Sequence, residues 1–169
     1  MLTGLVLVVS ALDEFVERHR HPSDRTGDPG VPPHVTVLFP WVRQPLNDDM
    51  LGRCAAAVRG FGPLSMHFRR VATFPIGVVY LVPEPEAPLR ALTRLLSDAY
   101  PQCPPYAGEH PDPEPHLTIS TVPPQDLADL AARVAADLTP TRCTVDVLTV
   151  LEQRPDGRWR TARALPLTD

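Results

Sequence analysis

Apolar and polar positions change period several times along the chain, and each change marks an element. Residues 2–9, Leu-Thr-Gly-Leu-Val-Leu-Val-Val, are a near-continuous apolar run with β-branched content, which predicts a buried strand. Leu12, Phe15, Val16 and His19 then recur at helical spacing, with Ser10 placed as the N-cap. After a polar loop rich in glycine and proline, residues 34–41 return to a strand-like pattern. Residues 47–61 predict a helix capped by Asn47, and 63–74 and 76–82 predict two strands joined at Phe74-Pro75. Leu89, Leu92, Leu95 and Leu96 place a helix over residues 85–100.

Residues 101–115 carry six prolines in fifteen positions, which rules out both a helix interior and a central strand, so this stretch is a long loop. Loops of that length in compact domains are often functional. It leads into a strand over 116–122, then a helix over 125–138. One strand over 141–153 follows, and a last strand over 158–167 after the Asp156-Gly157 turn. The order strand, helix, loop, strand, helix, strand occurs twice, which predicts one domain over 1–169 built by duplication, with halves 1–75 and 76–169.

The same short motif occurs in both halves. Pro-His-Val-Thr-Val begins at Pro33 and Pro-His-Leu-Thr-Ile at Pro115. Side chains alternate faces along a strand, so His34 shares a face with Thr36, and His116 with Thr118, while Val35, Val37, Leu117 and Ile119 anchor the other face. Side by side about a pseudo-two-fold axis, two imidazoles and two hydroxyls converge on one groove. Those are sufficient parts for phosphoryl transfer. A neutral histidine takes a proton from the attacking oxygen and a protonated one gives a proton to the leaving oxygen, both forms being accessible near an ordinary histidine pKa of about 6.5. Threonine hydroxyls donate to non-bridging phosphate oxygens. The pairing of two copies carries the signal, because a single His-x-Thr in a strand is common.

Composition narrows the partners. The net charge is −4, and all 16 basic residues are arginine. No basic stripe is apparent beyond Arg69-Arg70 and Arg158-Trp159-Arg160, which disfavours long nucleic acids and leaves a small phosphate ligand open. Cys54, Cys103 and Cys143 are odd in number and lack metal-type spacing, which suits reduced thiols in a cytoplasm. His19, His21, His67 and His110, taken with Cys103, do not form a zinc pattern. The first apolar run is too short to span a bilayer. Phe39, Trp41, Phe74 and Tyr106 are candidates for stacking a base, Tyr106 foremost for its loop position.

The two motifs, the Phe-Pro before "VVYLVPEP" and the "PPYAG" shortly before "PHLTIS" resemble the two-histidine (2H) phosphoesterase superfamily, in its 2′-5′ RNA ligase-like branch. The resemblance implies an α+β, duplicated bilobal fold, with two antiparallel sheets lining a central cleft and helices on the outer faces. It implies a metal-independent, cofactor-free hydrolase acting on 2′,3′-cyclic phosphates or 2′-5′ phosphodiesters of nucleotides or RNA ends. His34 and His116 become the acid/base pair, Thr36 and Thr118 the phosphate binders, with Tyr106 and Phe39 as further substrate contacts. An arginine that several members carry three residues after the second threonine is here Thr121, and Arg25, Arg69 and Arg158 are candidate substitutes. The expected partner is a nucleotide or RNA terminus, with no long duplex and no membrane, and the expected assembly is a monomer. Two alternatives stay open: a nucleotide-binding module without turnover, and an enzyme using the same residues on a cyclic dinucleotide or other non-RNA phosphodiester.

Overall fold

The computed structural model describes residues 2–22, 24, 31–43, 45–110 and 112–168. Among the described residues, eight strands and four helices follow one another as β1 (Thr3–Val8), α1 (Asp13–His19), β2 (His34–Leu38), α2 (Asp48–Ala57), β3 (Leu64–Phe74), β4 (Val78–Glu84), α3 (Glu86–Ala99), β5 (Leu117–Thr121), α4 (Leu127–Asp137), β6 (Thr141–Val145), β7 (Val147–Gln153) and β8 (Trp159–Pro166). This is the α+β class that the pattern and the resemblance imply.

The strands form one antiparallel sheet in the order β6-β3-β4-β5-β2-β1-β7-β8. Its middle is its thinnest seam, because β2 and β5 meet through a single pair, Val35 with Leu117. The two expected sheets are therefore two four-stranded halves, continuous across that seam. One half is the four consecutive strands β3 to β6, and the other joins the two ends of the chain, with β7 beside β1.

One face of the sheet carries Leu5, Leu7, Val35, Val37, Val79, Leu81, Leu117, Ile119, Leu148 and Val150, all buried in a common core. The helices cover that face, α2 and α3 against β8 and β2, α4 against β3 and β4, and α1 against β5. Leu89, Leu92 and Leu96 of α3 enter the core as their spacing predicts, while Leu95 stays exposed. Asn47 caps α2 by accepting from the Met50 amide at 2.9 Å. Ser10 does not cap α1. It opens a 3-10 turn, Ser10–Leu12, and Leu12 takes the N-cap position without a side-chain bond.

The single strand expected over 141–153 is two strands broken at Asp146, and they lie on opposite sides of the sheet. Their burial patterns explain the separation. Residues 141–145 alternate half-buried and exposed, as an edge strand does, whereas Leu148 to Glu152 are buried throughout, as an internal strand is. Among the described residues, no helix is long and apolar enough to cross a membrane.

Candidate functional site

The helix-free face of the sheet holds the two motifs at the central seam. His34 opens β2, and His116 stands immediately before β5. Continuing the antiparallel register one residue to either side of the Val35–Leu117 pair sets His34 against Thr118 and Thr36 against His116. All four side chains are half-buried, between the buried valines and leucines of the other face and solvent.

Both imidazoles are anchored in the same way. His34 Nδ1 bonds the Pro32 carbonyl at 2.8 Å, and His116 Nδ1 bonds the Glu114 carbonyl at 2.8 Å. A carbonyl only accepts, so Nδ1 carries the hydrogen in each ring and Nε2 is left to exchange a proton. The prolines at 33 and 115 lie inside both tight connections.

The electrostatics of the two rings differ. Burial pushes the His34 pKa below the ordinary histidine value; the bond to Pro32 opposes this, and the His116 charge adds to it. Burial also lowers His116, against the Glu114 carbonyl bond and the nearby Glu114 carboxylate. Only His116 has an acidic residue two places upstream, where His34 has Pro32.

A second shared device is a β-bulge just after each threonine. Val6 faces Thr36 while the next pair is Leu5 with Leu38, which leaves Val37 as the extra residue. Tyr80 faces Thr118 while the next pair is Val79 with Ser120, which leaves Ile119 extra. Each bulge reverses the alternation, so Phe39 and Thr121 rejoin the helix-free face instead of the core. Thr121, where the resemblance leads one to expect an arginine, therefore lies on the same face as Thr118. Its amide donates to the Asp24 carboxylate at 3.2 Å.

Aromatic rings flank the seam on both sides. Phe74 stacks on Tyr80 at 4.3 Å between centroids, and both meet the His116 ring edge-on, at 5.1 and 5.5 Å. On the other side Phe39 meets Trp159 of β8 at 6.0 Å. Phe39 lies across β1 at Gly4, where an added Cβ would approach its ring to 3.2 Å.

Tyr106 comes from the proline-rich loop, and its side chain lies beside Thr36. Tyr106 and Ala107 both adopt left-handed backbone, at φ 50° and 56°, a conformation that costs non-glycine residues roughly 1–2 kcal/mol each. The Tyr106 amide holds the turn in place by donating to the Phe39 carbonyl at 2.6 Å. Such strain is characteristic of functional loops.

The register thus brings His34, Thr36, His116 and Thr118 together on the helix-free face, with Phe39 across β1 at Gly4 and Tyr106 held against the Phe39 carbonyl. Phe74 is also there, but Trp41 is buried against Tyr100 in the core and cannot stack on a ligand. Of the candidate arginines, Arg69 is ion-paired with Glu84, Arg158 lies exposed in the β7–β8 turn, and Arg25 lies outside the described residues. Among the described residues no group of three histidine, cysteine or acidic side chains could hold a metal ion. Sequence reasoning missed Tyr80, Trp159 and Glu114. The first two are brought to the site only by strand register, whereas the contrast between Glu-Pro-His and Pro-Pro-His was visible in the text of the sequence.

Residues 8–157 match the profile of the 2′-5′ RNA ligase superfamily. No curated protein matches the chain by sequence. Among solved structures, the fold is similar to E. coli LigT complexed with NADP+, at 15% identity, with a TM-score of 0.62 over 99% of this chain and 98% of that one. It is equally similar to E. coli LigT complexed with 3′-AMP, at 14% identity and a TM-score of 0.61 over the same shares. A structure described as a phosphoesterase aligns at 15% identity and a TM-score of 0.60, again over 99% and 98%.

Proposed function

The chain belongs to the 2′-5′ RNA ligase superfamily, and from that premise we propose that it is a metal-independent phosphoesterase of the two-histidine type. Its substrates are 2′,3′-cyclic phosphates or 2′-5′ phosphodiesters of nucleotides or RNA ends. The observation that carries the reading is the matched anchoring of His34 and His116 at one strand seam, each ring leaving Nε2 available.

Two imidazoles so placed complete the proton transfers without a third group. The neutral ring takes the proton of an attacking water at Nε2 as its oxygen bonds to phosphorus. The protonated ring gives its Nε2 proton to the leaving oxygen as the P–O bond breaks. Thr36 and Thr118 donate to the non-bridging oxygens, where charge collects, with the Tyr106 side chain beside Thr36. Burial favours the neutral form of both rings, and the phosphate's negative charge offsets that for the ring that must act as acid. The same reading takes the chain as a duplication with halves 1–75 and 76–169, the first giving β3 to the second and the second giving β7 and β8 to the first.

LigT structures complexed with nucleotides support a nucleotide as the ligand class. The paired arginines support a small ligand or a strand end, since Arg69 and Arg70 are bound to Glu84 and Arg160 to Glu152. The test is a panel of 2′,3′-cyclic nucleotides, 2′-5′ dinucleotides and cyclic dinucleotides in excess chelator, with products separated by chromatography. Turnover in chelator is the expected result. Binding without turnover of any member would make the protein a nucleotide-binding module, and turnover restored only by added metal would overturn the metal-free mechanism.

A further inference from the structure

The groove has an aromatic shelf on each side of the two motifs, and the two shelves are built from different strands. Phe74 of β3 and Tyr80 of β4 form one, stacked on each other and set against His116. Tyr80 is buried, so Phe74, which is half-buried, is the ring available to a ligand. Phe39 and Trp159, both half-buried, form the other. Phe39 reaches its place because the β2 bulge turns it onto the groove face and because Gly4 leaves the floor of β1 open beneath it.

The positions relative to the phosphate-facing residues set the reach. Val6 is the residue opposite Thr36, and Gly4 lies two residues further along β1, a rise of about 7 Å, which is the length of a nucleoside. The other shelf begins at His116 itself, 5.1 Å from the Phe74 ring. A phosphate held between the two motifs therefore has a stacking surface within one nucleoside's reach in both directions. A nucleoside cyclic phosphate has one base and fills one shelf. A diester joining two nucleosides fills both, with its bases splayed apart instead of stacked on each other.

We infer that the groove selects a linear dinucleoside phosphodiester, one base on Phe74 and the other on Phe39 and Trp159, over a nucleoside cyclic phosphate. This rests on the reading of the groove as a phosphodiester site and adds the substrate class to it. Trp159 and Phe74 are the specificity determinants, since base–aromatic stacking is sequence-tolerant and each ring contributes on its own.

The probes are adenylyl-2′,5′-adenosine and adenosine 2′,3′-cyclic phosphate. The chain has two tryptophans and Trp41 is buried, so stacking is read directly as quenching of Trp159 emission. The dinucleotide is expected to quench saturably, with a higher kcat/KM than the cyclic nucleotide. Trp159→Leu and Phe74→Leu are each expected to lower kcat/KM on the dinucleotide by about 5- to 100-fold, the worth of one stacked base. On the cyclic nucleotide the two losses should be unequal by a similar factor. Trp159→Phe and Phe74→Tyr, which keep a ring, should recover most of the dinucleotide turnover, which separates lost stacking from lost folding. Equal losses on both probes, or no preference for the dinucleotide, would overturn the inference while leaving the phosphoesterase reading intact. If wild type turns over neither probe, that reading fails, and the quenching titration still decides: tighter quenching by the dinucleotide supports the two shelves, and none refutes them.

Discussion

Replacing Gly77 with alanine should damage the protein out of proportion to one methyl group. Gly77 sits in the β3–β4 hairpin at φ +102°, and a Cβ there would lie 2.1 Å from the Val122 carbonyl oxygen. Ordinary contact begins near 3.4 Å, so backbone must move by more than 1 Å. The carbonyl cannot give way freely, because the Val122 amide donates to the Gly77 carbonyl at 2.8 Å and ties the end of β5 to the hairpin. The positive φ costs roughly 1–2 kcal/mol for a residue with a side chain, and losing that hydrogen bond costs about 1 kcal/mol more. Together these predict about 2–3 kcal/mol of destabilisation, or roughly a 4–12 °C fall in melting temperature for a domain of this size. The hairpin also carries Phe74 against His116, so kcat should fall in the surviving folded fraction. Urea denaturation followed by circular dichroism measures the first effect, and initial rates well below the melting temperature measure the second. A loss below about 1 kcal/mol would show that hairpin and β5 are not locked together, and would refute the argument.

Tyr106→Phe removes the hydroxyl beside Thr36 without emptying the loop; one hydrogen bond made by that hydroxyl in the substrate complex, worth about 0.5–1.5 kcal/mol net, predicts a loss of roughly 2- to 13-fold in kcat/KM, and steady-state kinetics showing no loss would remove Tyr106 from the site. Acid should destabilise the fold through His34 and His116. Their folded-state pKa values are depressed, so the unfolded chain binds more protons as pH falls below about 6.5. Their contribution to stability is complete above that pH and is lost progressively below it. Denaturation midpoints at pH 7.5 and 5.0 should therefore differ less in a His34→Gln/His116→Gln double variant than in wild type; equal differences would contradict the burial argument.

What the sequence made legible was the pairing of motifs, because His-x-Thr in a strand has a face that follows from alternation alone. Val35 and Leu117 had to be core for His34 and His116 to share a groove, and they are. The α+β class and the cap at Asn47 were legible for equally local reasons. The break at Asp146 was not, because two consecutive strand-like runs read as one unless the change from alternating to continuous burial is weighed. The bulges at Val37 and Ile119 were invisible, since strict alternation would have sent Phe39 and Thr121 to the core. Tyr80 and Trp159 reach the groove through register with distant strands, and no local pattern encodes that.

The central claim, that two histidines act as one acid/base unit, is tested most directly by a double-mutant cycle in turnover. His34→Ala and His116→Ala are each predicted to cost roughly 10²- to 10⁴-fold in kcat, and the double variant to fall far short of the product of those losses. Near-normal activity in either single variant, or losses that multiply in the double variant, would contradict it.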